Sequence, residues 1–290
     1  KMQDFDKYIE QDFIQKIIQL SNRCMSDKIP NWSLEILPHH VSEVQGLPQW
    51  VEEIYVTMIP GSKISEVVEA SAQLVDEGRT PIPHIAARGM ESREQFSEML
   101  ESLKQKGVNR LLLIGGGEEE QQGPFTEVMD LMETGELQRI GFEEIGIAGH
   151  PEGNPSDPDA ENSLLKKTRW ATKQGISTRI VTQWCFESQT LNRWINNLHE
   201  QGVTNPIHIG IPGPATLKTL LRYAQVCGVK ASSEVLKKQG FNLGKLLFVN
   251  KPDRLVQEIR GHQQLHLFPF GGLTKSSEWL QQQRNLASTA

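Results

Sequence analysis

Cysteine is scarce in this chain of 290 residues, which holds only Cys24, Cys185 and Cys227. Three widely spaced cysteines with no C-x-x-C pair argue against a disulfide framework and a cysteine-rich metal site, and they fit a reducing cytoplasm. Cys185 and Cys227 read as small buried hydrophobes. A basic block is also missing: 36 acidic against 30 basic residues give a net charge of -6, which invites neither nucleic acid nor an anionic membrane. No apolar run approaches the roughly 20 residues of a membrane span. Near the start, Phe13, Ile14, Ile17, Ile18 and Leu20 are interrupted by Gln15, Lys16 and Gln19, the spacing of an amphipathic helix rather than a signal peptide. His39 and His40 lack partners at ligand spacing, so no metal is expected. The length leaves no room for an appended regulatory domain, so control by one is not expected.

What the chain does contain is a regular alternation of apolar runs and helical patterns. Trp32 to Leu37, Ile54 to Ile59, Ile82 to Ala87, Arg110 to Ile114, Ile145 to Pro151, Arg179 to Cys185, Ile207 to Ile211 and Leu265 to Phe270 read as strands. Amphipathic segments lie between most of them, with Gly78 and Gly107 placed as helix stops. Helical pieces are expected around 125–132, 216–226, 232–238 and 276–283. Eight strand–helix units with few long inserts predict an α/β fold, a single (β/α)8 TIM barrel over residues 31–290 with an extra N-terminal helix over residues 1–30.

In such barrels chemistry gathers where the strands end. Glu35 sits inside an apolar strand, where burial would raise its pKa and suit it to general-acid work. The bland alternative is a structural ion pair. Gln183 follows an apolar run and carries both a donor and an acceptor, suited to the amide and amino edge of a heterocycle, or simply to backbone at the rim. Thr57 and His84 can hydrogen-bond a ring or phosphate, although a strand histidine is commonly a satisfied core residue. Gly115, Gly116 and Gly117 permit close approach of backbone to a ligand, yet they have neither the P-loop lysine nor a G-x-G-x-x-G pattern. Gly213 and the helix start after it can offer free amides to an anion, or form an ordinary turn.

Five segments in order carry a resemblance: Ser33-Leu34-Glu35 with Pro38, Pro83-His84-Ile85, Ala148 to Pro155, Ile180-Val181-Thr182-Gln183 with an aromatic next, and Gly210-Ile211-Pro212-Gly213. Together they resemble the methylenetetrahydrofolate reductase family. That resemblance implies an enzyme that reduces 5,10-methylenetetrahydrofolate to 5-methyltetrahydrofolate with NAD(P)H, through bound FAD. Glu35 matches the family's catalytic acid and Gln183 its pterin-holding glutamine. Thr57, His84 and Ala148 fall where the family touches flavin; Gly115, Gly116, His150, Asn154 and Lys166 complete the implied cofactor set, and Gly117 and Leu217 the substrate set.

Departures accompany it. The three glycines stand where the family carries R-G-D, so its aspartate is missing unless Glu118, Glu119 or Glu120 replaces it. His150 replaces a common tyrosine, Asn154 a common histidine, and Leu217 an aromatic. The alternatives are a flavin-independent enzyme acting on a folate one-carbon group and a non-catalytic folate-binding subunit. The oligomeric state is open, a homo-oligomer included.

Overall fold

The computed structural model describes residues 31–117, 121–227 and 249–289. The expected N-terminal helix, the helical piece at 232–238 and Glu118, Glu119 and Glu120 lie outside the described residues. Eight parallel strands form a closed barrel: β1 (Trp32–Ile36), β2 (Glu53–Val56), β3 (Thr80–Ala86), β4 (Arg110–Ile114), β5 (Glu144–Gly149), β6 (Thr178–Thr182), β7 (Ile207–Pro212) and β8 (Gln264–Phe268). They pair in the order β1-β8-β7-β6-β5-β4-β3-β2, and β2 closes onto β1. The (β/α)8 expectation is met.

Period two in the strands sorts side chains into two populations. Leu34, Ile36, Ile54, Val56, Leu111, Leu113, Ile145, Ile147, Ile180, Ile209 and Leu267 belong to the large buried cluster between the strands and the helices. Burying each stabilises the fold by about 1.5–3 kcal/mol. The complementary set fills the barrel, with an apolar layer of Tyr55, Ile82, Leu112 and Val181.

The helices follow from their apolar faces. After β2, α1 (Ile64–Asp76) buries Val67, Ala70, Ser71 and Leu74, and the Ser71 hydroxyl donates to Val67 O at 2.7 Å, which lets a polar residue sit inside. After β3, α2 (Arg93–Gln105) starts at Ser92, whose hydroxyl accepts from Gln95 N at 3.1 Å. Gly78 and Gly107 follow these helices with φ of 73° and 85°, the left-handed stop foreseen from the sequence. Between β4 and β5 stand α3 (Val128–Met132) and the unforeseen α4 (Glu136–Ile140); α5 (Ala160–Lys173) follows β5 and α6 (Ser188–Glu200) follows β6. Between β7 and β8 lie α7 (Leu217–Val226) and α8 (Asp253–Glu258), and α9 (Leu273–Thr289) comes last. A second unforeseen feature is a two-residue antiparallel clasp, Ala215 with Asn250 and Thr216 with Val249.

Several boundaries differ from expectation, and two of them have a clear local reason. α3 starts at Val128 rather than Phe125 because the Asp130 carboxylate accepts from Thr126 N at 2.7 Å and Glu127 N at 3.0 Å, capping the helix there. β6 stops at Thr182 rather than Cys185 because side chains take over the next amides: Trp184 N donates to Gln183 Oε1 at 3.1 Å and Glu187 N to Cys185 Sγ at 3.4 Å.

The N-terminal end of the barrel is closed by charge. Arg179 donates to Glu53 at 2.7 Å and also pairs with Glu144; Arg110 pairs with Glu53, and Gln264 Nε2 donates to Glu53 at 2.7 Å. Burial pushes the Glu53 carboxyl up, but Arg179 and the bonds from Arg179 and Gln264 outweigh it and hold the group below its usual range. Burial and the neighbouring Arg179 push His208 down to about 3.

Candidate active site

At the other end, β1 and β8 lie side by side with Ser33 opposite His266. Ser33 Oγ is 3.0 Å from His266 Nδ1, and the other ring nitrogen, Nε2, is 3.5 Å from Glu35 Oε2. His84, on β3, brings its Nε2 to 3.9 Å from the same carboxylate oxygen. Tyr55 underlies both histidines, its ring centroid 4.4 Å from that of His266 and 6.0 Å from that of His84, edge-on to each. Glu35 is thus held between two imidazoles, and its side chain is 17% exposed, so it is both positioned and reachable. Burial holds His84 down to about 4, with the Glu35 carboxylate pulling the other way. His84 is therefore a neutral imidazole near pH 7, and among the described residues its buried Nε2 has no hydrogen-bond partner.

Gln183 stands one residue beyond β6. Its backbone N donates to Gly149 O at 2.8 Å, and its Oε1 accepts from Trp184 N at 3.1 Å. The acceptor half of the amide thus serves the rim, while the NH2 half makes no hydrogen bond among the described residues. Close strand packing sets this position. Gly210 N donates to Thr182 Oγ1 at 2.8 Å, and a Cβ at Gly210 would fall 2.5 Å from Thr182 O and 2.9 Å from the Gln183 carbonyl carbon.

The remaining candidates divide. Ala148 and His150 are half-buried at the end of β5, and burial, reinforced by Lys167, pushes His150 down to about 4. Thr57 continues the ladder beyond β2: its N donates to Ile36 O at 2.8 Å and its hydroxyl to the same oxygen at 3.0 Å. Asn154 is bound into its own turn, its Oδ1 accepting from Ser156 N at 3.0 Å. Lys166 is exposed, with Nζ 3.8 Å from Glu127, whereas the next residue, Lys167, is half-buried and acts on His150.

The space at Gly115 is filled by Arg88, whose Nη1 would lie 3.3 Å from an added Cβ, and that at Gly117 by Pro60, 3.1 Å away. The Arg88 guanidinium also donates to Gly116 O, and Arg88 N donates to Gly115 O at 3.0 Å. Leu217 opens α7 and packs against the small cluster of Ala215 and Leu220 that includes Phe186 and Phe270.

The structure therefore brings Glu35 and His84 together and adds His266 and Ser33, which sequence reasoning missed. Their signal was present in the alternation: Ser33 and Glu35 share one face of β1, and His266 and Phe268 share one face of β8. Among the described residues no group of three or more His, Cys, Asp or Glu side chains can hold a metal ion, and no helix is long and apolar enough to cross a membrane.

Residues 38–241 match the sequence pattern of the family described as methylenetetrahydrofolate reductase. This chain belongs to that family. The matched span takes in His84 and Gln183 and leaves Glu35 and His266 outside it. Methylenetetrahydrofolate reductase (NADH) 1 of Arabidopsis thaliana is 24% identical over 157 residues, covering 49% of this chain and 26% of that protein. A Caenorhabditis elegans protein named as a probable methylenetetrahydrofolate reductase (NADPH) is 22% identical over 240 residues, 74% of this chain and 35% of that one. The chain thus spans about a quarter to a third of the length of these relatives. An uncharacterized Clostridium thermocellum protein, whose solved structure is described as binding two copies of 5-methyl-5,6,7,8-tetrahydrofolic acid, is similar in fold at TM-score 0.55 and 12% identity, covering 93% of this chain and 99% of that one. For a methylenetetrahydrofolate reductase family member with so few identities, the positions of individual side chains carry the functional argument.

Proposed function

We propose that this barrel reduces 5,10-methylenetetrahydrofolate to 5-methyltetrahydrofolate with NAD(P)H as the hydride source. The observation that carries the reading is Glu35, a reachable carboxyl held between His266 and His84 at the mouth of a barrel of this family. Glu35 in its acid form protonates N10 of the folate; the bond from N10 to the bridging carbon breaks, leaving an iminium at N5. A hydride from C4 of NAD(P)H then adds to that carbon and gives the 5-methyl group and NAD(P)+. His266, backed by Ser33, orients the carboxyl, and Gln183 offers its NH2 group to the carbonyl edge of the pterin.

FAD fits this donor set poorly. Thr57 and Asn154 are engaged with neighbouring backbone, Lys166 points to solvent beside Glu127, and Arg88 and Pro60 occupy the space at Gly115 and Gly117. No step is therefore routed through flavin, and hydride passes directly from the nicotinamide.

The test is oxidation of NADH and of NADPH by purified protein with methylenetetrahydrofolate. Wild-type protein is expected to turn over and to lack a flavin absorption band. Glu35→Gln is expected to bind folate normally and to lose about 2 to 4 orders of magnitude in rate. Near-normal turnover in that variant sinks the assignment of Glu35, bound flavin bleached by NAD(P)H sinks direct transfer, and folate binding without turnover in the wild type identifies a binding subunit instead.

A further inference from the structure

A carboxyl inside a barrel gives up its proton only if the charge left behind is received. Such a charge is poorly solvated there, and a general acid works best where a donor already points at the oxygen that becomes negative. His266, backed by Ser33, supplies one contact of this kind, with Nε2 3.5 Å from Glu35 Oε2. A second ring nitrogen faces the same oxygen. His84 Nε2 lies 3.9 Å from Glu35 Oε2, is buried, and has no hydrogen-bond partner among the described residues. An unused buried nitrogen costs stability, and nothing in the packing of β3 calls for it: the strand is held by its backbone ladders to β2 and β4, and Tyr55 meets the ring only edge-on at 6.0 Å.

Burial keeps His84 neutral, pushing it down to about 4 against the pull of the Glu35 carboxylate. A neutral imidazole carries one proton on one of its two nitrogens. The nitrogen that faces the carboxylate is the favoured place for it. The other titratable groups around Glu35 do not compete for this role. Burial pushes the Tyr55 hydroxyl on β2 up, and burial followed by the Glu35 charge pushes up the thiol of Cys227 at the end of α7, so both stay protonated near neutrality. On β8, His266 already serves Ser33.

We propose that His84 carries its proton on Nε2 and closes onto Glu35 Oε2 as the carboxylate forms, which makes it a positioning residue for the acid. This assignment rests on the reading of Glu35 as the general acid. The Glu35 proton goes to N10 and the electron pair of that O–H bond stays on the carboxyl. The Nε2–H bond of His84 remains intact, and its contact shortens from 3.9 Å to hydrogen-bond length. Contacts of this kind are commonly long in the free enzyme and tighten in the transition state. The unused nitrogen of the resting barrel is satisfied only when the charge appears, so its bond favours the transition state over the ground state.

The experiment compares His84→Asn with His84→Gln. Both side chains are neutral at every pH, but glutamine places its NH2 group near the ε position of the ring and asparagine near the δ position. In His84→Asn the alkaline limb of kcat is expected to move up by about one pH unit and the acid-side plateau to fall about tenfold, the size of one hydrogen bond to a charged group. The KM for methylenetetrahydrofolate is expected to stay unchanged, and His84→Gln is expected to keep the wild-type profile. A limb that moves to lower pH in His84→Asn overturns the proposal, because the nitrogen then accepts from the acid form. Wild-type profiles in both variants overturn it too, as does equal damage in both, which reduces His84 to filling space. The same order is read without substrate from the 13C resonance of the Glu35 carboxyl, expected to titrate at higher pH in His84→Asn than in wild type or His84→Gln. Identical titration in all three proteins overturns the pairing whatever the kinetics. The expected order in protein that does not turn over methylenetetrahydrofolate overturns the folate reading and leaves the pairing standing.

Discussion

The two ends of this barrel use similar residue types for opposite purposes. At the base, Glu53, Arg110, Glu144, Arg179 and Gln264 answer one another in a dense set of short bonds, and little is left over for a ligand. At the mouth, Glu35 touches His266 only at 3.5 Å and His84 at 3.9 Å, His84 Nε2 has no hydrogen-bond partner among the described residues, and half of the Gln183 amide is free. Buried polar groups left partly unsatisfied cost stability and persist where a ligand completes them. The base also holds a buried nitrogen without a hydrogen-bond partner among the described residues, His208 Nδ1, so the two ends differ in how much of their carboxylate and amide chemistry is answered from within.

The largest effects test that separation directly. Glu35→Gln is expected to remove 2 to 4 orders of magnitude of turnover while its urea-unfolding midpoint stays with that of the wild type. Arg179→Ala should do the reverse: it leaves Glu53 and Glu144 buried beside an empty position and is expected to cost about 3–5 kcal/mol of stability in urea titration, with turnover per folded molecule little changed. Equal stability losses in the two variants would erase the distinction.

Acid sharpens it from another side. Burial pushes His84 down to about 4 and His208, at the base, down to about 3. Both are neutral in the fold and protonate near 6.5 when unfolded, so the unfolded state binds more protons below that pH. Their stability contribution is present above pH 6.5 and is lost as pH falls toward 4 and then 3. His84→Gln is expected to flatten the midpoint-against-pH curve between pH 6.5 and 4, by an amount on the order of 3 kcal/mol; an unchanged curve would show that His84 is not held neutral. The smallest effect is expected at Lys166→Ala, within about 0.5 kcal/mol and without loss of turnover, because this lysine is exposed and only loosely paired with Glu127.

The barrel was legible because its signal is repeated: eight apolar runs separated by amphipathic helices leave few other arrangements, and Glu35 stood out as a carboxylate inside one of them. What escaped were relations between distant residues. His266 lies 231 positions from Glu35, and only the closure of β8 onto β1 makes them neighbours. The glycines at 115 and 117 looked like ligand cradles because no local signal shows that Arg88 and Pro60 fold against them. Lys166 and Lys167 are adjacent, and the choice between solvent and pocket depends on the rotation of α5 about its axis, which turns successive side chains to different faces.

Gly210 carries a consequence of another kind. It touches no proposed ligand, yet any side chain there would collide with the peptide that bears Gln183. Chemical selectivity at the mouth is thus hostage to an atom that is absent from the strand next door. A library built only from ligand-lining positions would pass over this residue. Conversely, a barrel redesigned to accept alanine there would have to move β6, and with it the reading head of the site.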